Sequence, residues 1–133
     1  MTAYLLDTNV VSELIKATPS PTVAAWLMGE PETWLSVLTI GELRRGAHLL
    51  RRRDETRAAR LDEWITQLAA SYGDRILPVD ARVTHAWAAL PATRTLPVID
   101  ALIAATARVH GLTVATRNVS DFADTSVSVV DPF

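Results

Sequence analysis

The chain reads as an α/β protein on a parallel sheet, and three observations carry that reading. Short apolar runs of strand length alternate with longer stretches at helical spacing. Breakers stand between them, as in Pro19-Ser20-Pro21, Gly29-Glu30-Pro31 and Gly111. The helical stretch opened by Pro97 is apolar nearly all round, so it needs a sheet to cover it.

In chain order, Tyr4-Leu5-Leu6 is the first strand and runs into Asp7-Thr8-Asn9. A short helix through Val10, Val11, Leu14 and Ile15 stops at the Pro19 turn. Val23, Trp26 and Leu27 mark another. Trp34 to Val37 is the second strand, with a helix from Thr39 through Ile40, Leu43, Ala47 and Leu50. Leu61, Ile65, Leu68 and Tyr72 form the stripe of the next helix, with Arg57, Arg60, Asp62 and Glu63 for its wet face. Arg75 to Val79 is a third strand, followed by a helix from Ala81 to Leu90. After the Pro97 helix, Gly111 caps its end and Thr113 to Thr116 is a fourth strand. Asn118 to Phe122 is a polar turn, and Ser126 to Val130 alternates like an edge strand.

Residues 1–133 are expected to form one domain, enough to bury roughly two-thirds of the surface of the unfolded chain. Hydrophobic residues at 49% and charged residues at 21% exclude a disordered chain. The absence of cysteine excludes disulfides and thiolate chemistry. The first residues lack a basic segment ahead of their apolar run, and no run reaches the ~20 residues of a membrane span. A cytoplasmic protein is expected. A net charge of −2 does not advertise a nucleic-acid partner, yet seven of the 13 Lys and Arg residues lie between Arg44 and Arg60.

Four acids draw the functional argument, although each has an ordinary explanation alone. Asp7 can cap the helix after the first strand. Thr39 and Glu42 have the spacing of a capping box. Asp100 lies in a helix's first turn, where negative charge is favoured. Asp121 fits an exposed turn. Together they are harder to dismiss, because strand ends and helix starts share the carboxyl edge of a parallel sheet, where such folds bind ligands. Asp100 is the sharpest case: a charge in an apolar helix is costly unless it is paired or holds a metal, and no Lys or Arg lies within a turn of it. Converging carboxylates without cations raise one another's pKa. Oxygen ligands, without cysteine or suitably spaced histidine, point to Mg2+ or Mn2+.

The segments Leu5-Leu6-Asp7-Thr8-Asn9-Val10, Leu35 to Leu43, Asp100-Ala101-Leu102-Ile103-Ala104 and Thr116 to Phe122 resemble the PIN domain, and more narrowly the VapC toxins of type II toxin–antitoxin pairs. The match spans the chain in order and spacing, and the four acids fall where that family keeps its acids. The resemblance implies a three-layer α/β/α sandwich with a mostly parallel sheet of four to five strands. It also implies Mg2+-dependent endoribonuclease activity, with Mn2+ as substitute, a homodimer, and a small VapB-like antitoxin covering the active site. A housekeeping RNA-processing PIN nuclease is the alternative.

Asp7 and Asp100 are the expected nearest metal ligands, with Glu42 and Asp121 completing the shell. Thr8, Asn9, Thr116 and Asn118 are candidates to hold the carboxylates in place, or are simply turn and cap residues. Arg44 and Arg45 are candidates for RNA backbone contacts. The four tryptophans, at 26, 34, 64 and 87, are expected in cores or interfaces. An aspartate-dependent phosphatase would want an acid two residues after Asp7, where Asn9 stands. A phosphate-receiving domain would want a strand-end lysine, and the only lysine is Lys16.

Overall fold

Five parallel strands make one sheet in the order β3-β2-β1-β4-β5, in a computed structural model that describes residues 2–91 and 95–133. The strands are β1 (Ala3–Leu6), β2 (Glu32–Ser36), β3 (Ile76–Leu77), β4 (Thr113–Ala115) and β5 (Val129–Val130). Seven helices connect them: α1 (Thr8–Glu13), α2 (Pro21–Met28), α3 (Val37–Leu50), α4 (Glu55–Tyr72), α5 (Ala81–Ala88), α6 (Val98–His110) and α7 (Val119–Phe122). From β1 the chain winds outward through β2 and β3, then returns to lay β4 on the other side of β1. The order therefore reverses between β1 and β4, and the crevice of such a sheet opens there.

The alternation of the strands separates two cores. Leu6 and Ala115 face one side, with Val10, Val11, Val23, Leu43 and Ile65 from α1 to α4. Leu5 and Val114 face the other, with Ile103, Ala104 and Ala107 of α6 and Phe122 of α7. Helix, sheet and helix thus form the three expected layers. The alanines of α6 are fully buried or nearly so, which lets that helix lie close to the strands. Gly111 ends α6 at φ 66°, a left-handed conformation that only glycine adopts at no steric cost.

Several boundaries differ from the sequence expectation for local reasons. The helix after β2 begins at Val37 rather than Thr39, because Ser36 caps it by accepting Leu38 N at 3.0 Å. Its start removes the capping box expected of Thr39 and Glu42. β3 is two residues long. Gly73–Arg75 forms a 3-10 turn before it, Arg75 instead donates to Thr33 O at 2.9 Å, and Pro78 has no N–H to extend the ladder. The last strand is shortened because Ser126 sits at φ 63°, outside any strand conformation. The segment expected as a polar turn contains α7, too short for its periodicity to show. Of the tryptophans, 26, 34 and 64 pack against the two cores, while Trp87 is 43% exposed. No helix among the described residues is long and apolar enough to cross a membrane.

Candidate active site

Asp7 leaves β1 at the point where the strand order reverses, and its backbone N–H still pairs with Ala115 O of β4 at 2.9 Å. It does cap α1: Oδ1 accepts Thr8 N at 2.8 Å. Oδ2 accepts from Thr116 Oγ1 at 2.8 Å and from Asn9 Nδ2 at 3.4 Å. A buried carboxylate is thereby held in a single orientation between two strands.

Thr116 is the hub of that arrangement. Its hydroxyl donates to Asp7 and accepts from Asn9 Nδ2 at 3.2 Å and Asn118 N at 3.0 Å. Asn9 closes the ring, its Oδ1 accepting Arg117 N at 3.2 Å. The place two residues beyond Asp7 therefore supplies an amide donor, where the phosphatase reading needs an acid. Asn118 takes part through its backbone N–H.

Glu42 comes from α3 and is tied to the same centre by Thr8, whose Oγ1 donates to Oε1 at 2.5 Å. Thr39, fully buried one turn earlier on α3, brings its hydroxyl to 3.4 Å from that of Thr8. Thr39 belongs to this network, although its spacing from Glu42 suggested only a cap. Asp100 stands in the first turn of α6, whose N-terminus faces the same sheet edge, and Asp121 stands on α7.

The charges of the other three acids bear on Asp100. The Asp100 carboxyl is pushed up to about 6, foremost by burial and then by the charges of Asp7, Asp121 and Glu42. Among the described residues none of the four acids joins an ion pair. Neither do any three His, Asp or Glu side chains there already stand in metal-ligand geometry. The donor set is all oxygen and carries excess negative charge, which suits a hard divalent cation.

The two arginines on α3 part company. Arg44 is turned onto α4, donating to Asp62 O at 2.9 Å, Asp62 Oδ1 at 3.1 Å and Thr66 Oγ1 at 3.0 Å. Arg51 completes this pairing with Asp62 at 2.6 Å. Arg45 is exposed and, with Glu42, lines an open groove of about 360 Å3 with Val37, Leu38, Gly41 and Ile99. Only Arg45 is thus placed beside the acids with its charge uncommitted by an ion pair among the described residues.

A doubly wound parallel sheet whose strand order reverses beside Asp7 defines an α/β protein with its ligand crevice at that point. Within that class the chain belongs to the PIN domain family, whose model matches residues 4–127. It is 37% identical to the toxin FitB of Neisseria gonorrhoeae, with 97% of each chain covered. It is 36% identical to the VapC ribonuclease Y4jK of Sinorhizobium fredii, covering 97% of this chain and 96% of that one. The crystal structure of FitAcB from Neisseria gonorrhoeae superposes with a TM-score of 0.89 at 36% identity, over 97% of both chains.

Proposed function

We propose that this protein is a divalent-metal-dependent endoribonuclease acting as the toxin of a type II toxin–antitoxin pair. The observation that carries the reading is Asp100, a half-buried acid whose charge is opposed by three other carboxylates at the reversal point of the sheet. Such a cluster is held open for a cation. Similarity to proteins named ribonuclease and toxin supports the same conclusion.

A bound Mg2+ or Mn2+ supplies charge neutralisation at the phosphate and acidifies the attacking water. Asp7 and Asp100 would be the residues to hold it, with Glu42 and Asp121 completing the shell. Thr116, Asn9 and Thr8 keep Asp7 and Glu42 aimed at that point, so little reorganisation is needed on binding. Glu42 orients water for attack on phosphorus. As the water oxygen bonds to phosphorus its proton passes to solvent, the P–O bond to the leaving oxygen breaks, and a solvent proton neutralises that oxygen.

The partner is a small antitoxin, as the solved FitAB complex and its DNA-bound form suggest for the relatives. It reaches into the carboxylate crevice with a basic side chain that takes the place of metal. The toxin works as a homodimer. Expression alone is expected to arrest a bacterial host, and co-expression of the antitoxin to relieve the arrest. A housekeeping RNA-processing nuclease would not arrest growth, and arrest by Asp7→Asn equal to wild type would refute nuclease poisoning.

A further inference from the structure

Thr39 carries a buried hydroxyl for which packing alone has no use. It is fully buried in the first turn of α3, and the cap of that helix is supplied by Ser36. Threonine inside a helix commonly returns its hydroxyl to a carbonyl one turn back. Thr66, Thr84 and Thr106 do so, to Asp62 O at 3.0 Å, Ala81 O at 3.1 Å and Leu102 O at 2.7 Å. Thr39 turns to Thr8 on α1 instead, and 3.4 Å is long for a pair of hydroxyls. So long a contact offsets little of the cost of burying a hydroxyl, and valine would fill the same space without that cost.

The protons fix the direction of that contact. Thr8 has a single hydroxyl proton, which cannot serve both of its neighbours. An ionised Glu42 only accepts, so the proton goes to Oε1, at 2.5 Å. The oxygen of Thr8 is left as the acceptor towards Thr39, and Thr39 is the donor. The chain runs from Thr39 to Thr8 to Glu42, and each bond in such a chain polarises the next. Thr39 and Glu42 share a face of α3 while Thr8 opens α1, so Glu42 is tied back to its own helix through a second one. Glutamate is a flexible side chain, and half-buried Glu42 accepts no other hydrogen bond among the described residues. We propose that Thr39 is a positioning residue: by donating to Thr8 it keeps the Thr8 proton on Glu42, and so holds the Glu42 carboxylate in a single rotamer at the crevice. This rests on the reading of Glu42 as the acid that orients the attacking water.

The test separates position from fold. Thr39→Val removes the hydroxyl and keeps the shape, Thr39→Ser keeps the hydroxyl, and Thr39→Ala stands in should Thr39→Val fail to fold. Cleavage of an oligoribonucleotide is measured in Mn2+. Thr39→Val is expected to lower kcat about tenfold with KM within about twofold of wild type, and Thr39→Ser to restore kcat to within about twofold. In EDTA, the three-bond Hα–Hβ couplings of Glu42 report its rotamer by NMR whether or not RNA is cut. Wild type and Thr39→Ser are expected to show one rotamer, and Thr39→Val an average of several. The melting temperature of Thr39→Val is expected to equal or exceed that of wild type, because a poorly bonded buried hydroxyl is gone. Couplings that do not change in Thr39→Val overturn the proposal, even if kcat falls, since the effect would not pass through Glu42. A Thr39→Ser that behaves like Thr39→Val overturns it too, as does a Thr39→Val that loses stability while keeping kcat and couplings. If Thr39→Val averages the Glu42 rotamers although wild type cuts no RNA, or although kcat is intact, the positioning stands and the reading of Glu42 as the acid that orients water fails.

Discussion

Thr116 donates to Asp7 across 109 positions of sequence, at 2.8 Å, joining the ends of two adjacent parallel strands. Both side chains are buried, and the hydroxyl also accepts from Asn9 and Asn118. Thr116→Val keeps the shape and removes the donor, leaving Asp7 Oδ2 and two N–H groups short of a partner. The expected loss of stability in urea unfolding is about 1–3 kcal/mol. Metal affinity, read by Mn2+ titration, is expected to fall about 10-fold or more. An affinity equal to wild type would show that Thr116 serves the fold alone.

Removing a ligand should remove the chemistry. Asp7→Asn and Asp100→Asn are each expected to lower single-turnover RNA cleavage by about 10²-fold or more, since each loses a charge proposed to hold the cation. Excess EDTA should do the same to wild type. Activity that survives either change refutes the assignment of the acids.

Stability should carry the signature of Asp100. Its folded pKa of about 6 lies above the ordinary value of 3.8, so between these values the native chain holds more protons than the unfolded one. In EDTA the melting temperature is therefore expected to fall as pH rises through that window. Asp100→Asn should abolish that part of the fall. Mn2+ should raise the melting temperature most above about pH 6, where protons no longer compete for the carboxylate. A wild-type profile that is flat, or that rises across the window, contradicts the crowding of the four charges.

Separation of roles is expected for the neighbouring arginines. Arg45→Gln should weaken RNA binding whatever the sequence and reduce the salt slope by about 0.7, the value for one contact to a single-stranded backbone. Arg44→Gln should leave that slope unchanged and lower stability only slightly, because its partners Asp62 and Thr66 are half-buried and exposed. Equal salt slopes in wild type and Arg45→Gln would return Arg45 to a solvated helix face.

Much of this was legible in residue order alone. The alternation of apolar runs and helical stretches foretold all five strands, and Asp7 at a strand end and Asp100 at a helix start could be placed without coordinates, whereas Glu42, expected at a helix start, lies six residues into α3. What escaped were features settled by single hydrogen bonds. Ser36 and Thr39 are both able to cap a helix, and only the bond from Leu38 N to Ser36 decides between them. That choice shifts the start of α3 by two residues and releases Glu42 from a capping role. Arg44 and Arg45 looked alike because their difference lies in α4, which supplies Asp62 and Thr66 from 18 and 22 positions away. Of the four polar residues proposed as supports, Thr8, Asn9 and Thr116 use side chains, whereas Asn118 uses its backbone.

The placing of β4 has a consequence for the moment at which the four acids can first stand together. Asp7 is made 109 positions before Thr116, which supplies its orienting hydroxyl, and the last of the four acids is Asp121. A nascent chain that has exposed only β1, β2 and β3 possesses two of the carboxylates, Asp7 and Glu42, and the strand meant to flank β1 is missing. Loop closure over more than a hundred residues must come before the cluster exists, and such long-range pairing is slow. Synthesis itself thus acts as a timer. A chain still emerging from the ribosome holds no complete cluster until β4 and α7 have followed the first three strands.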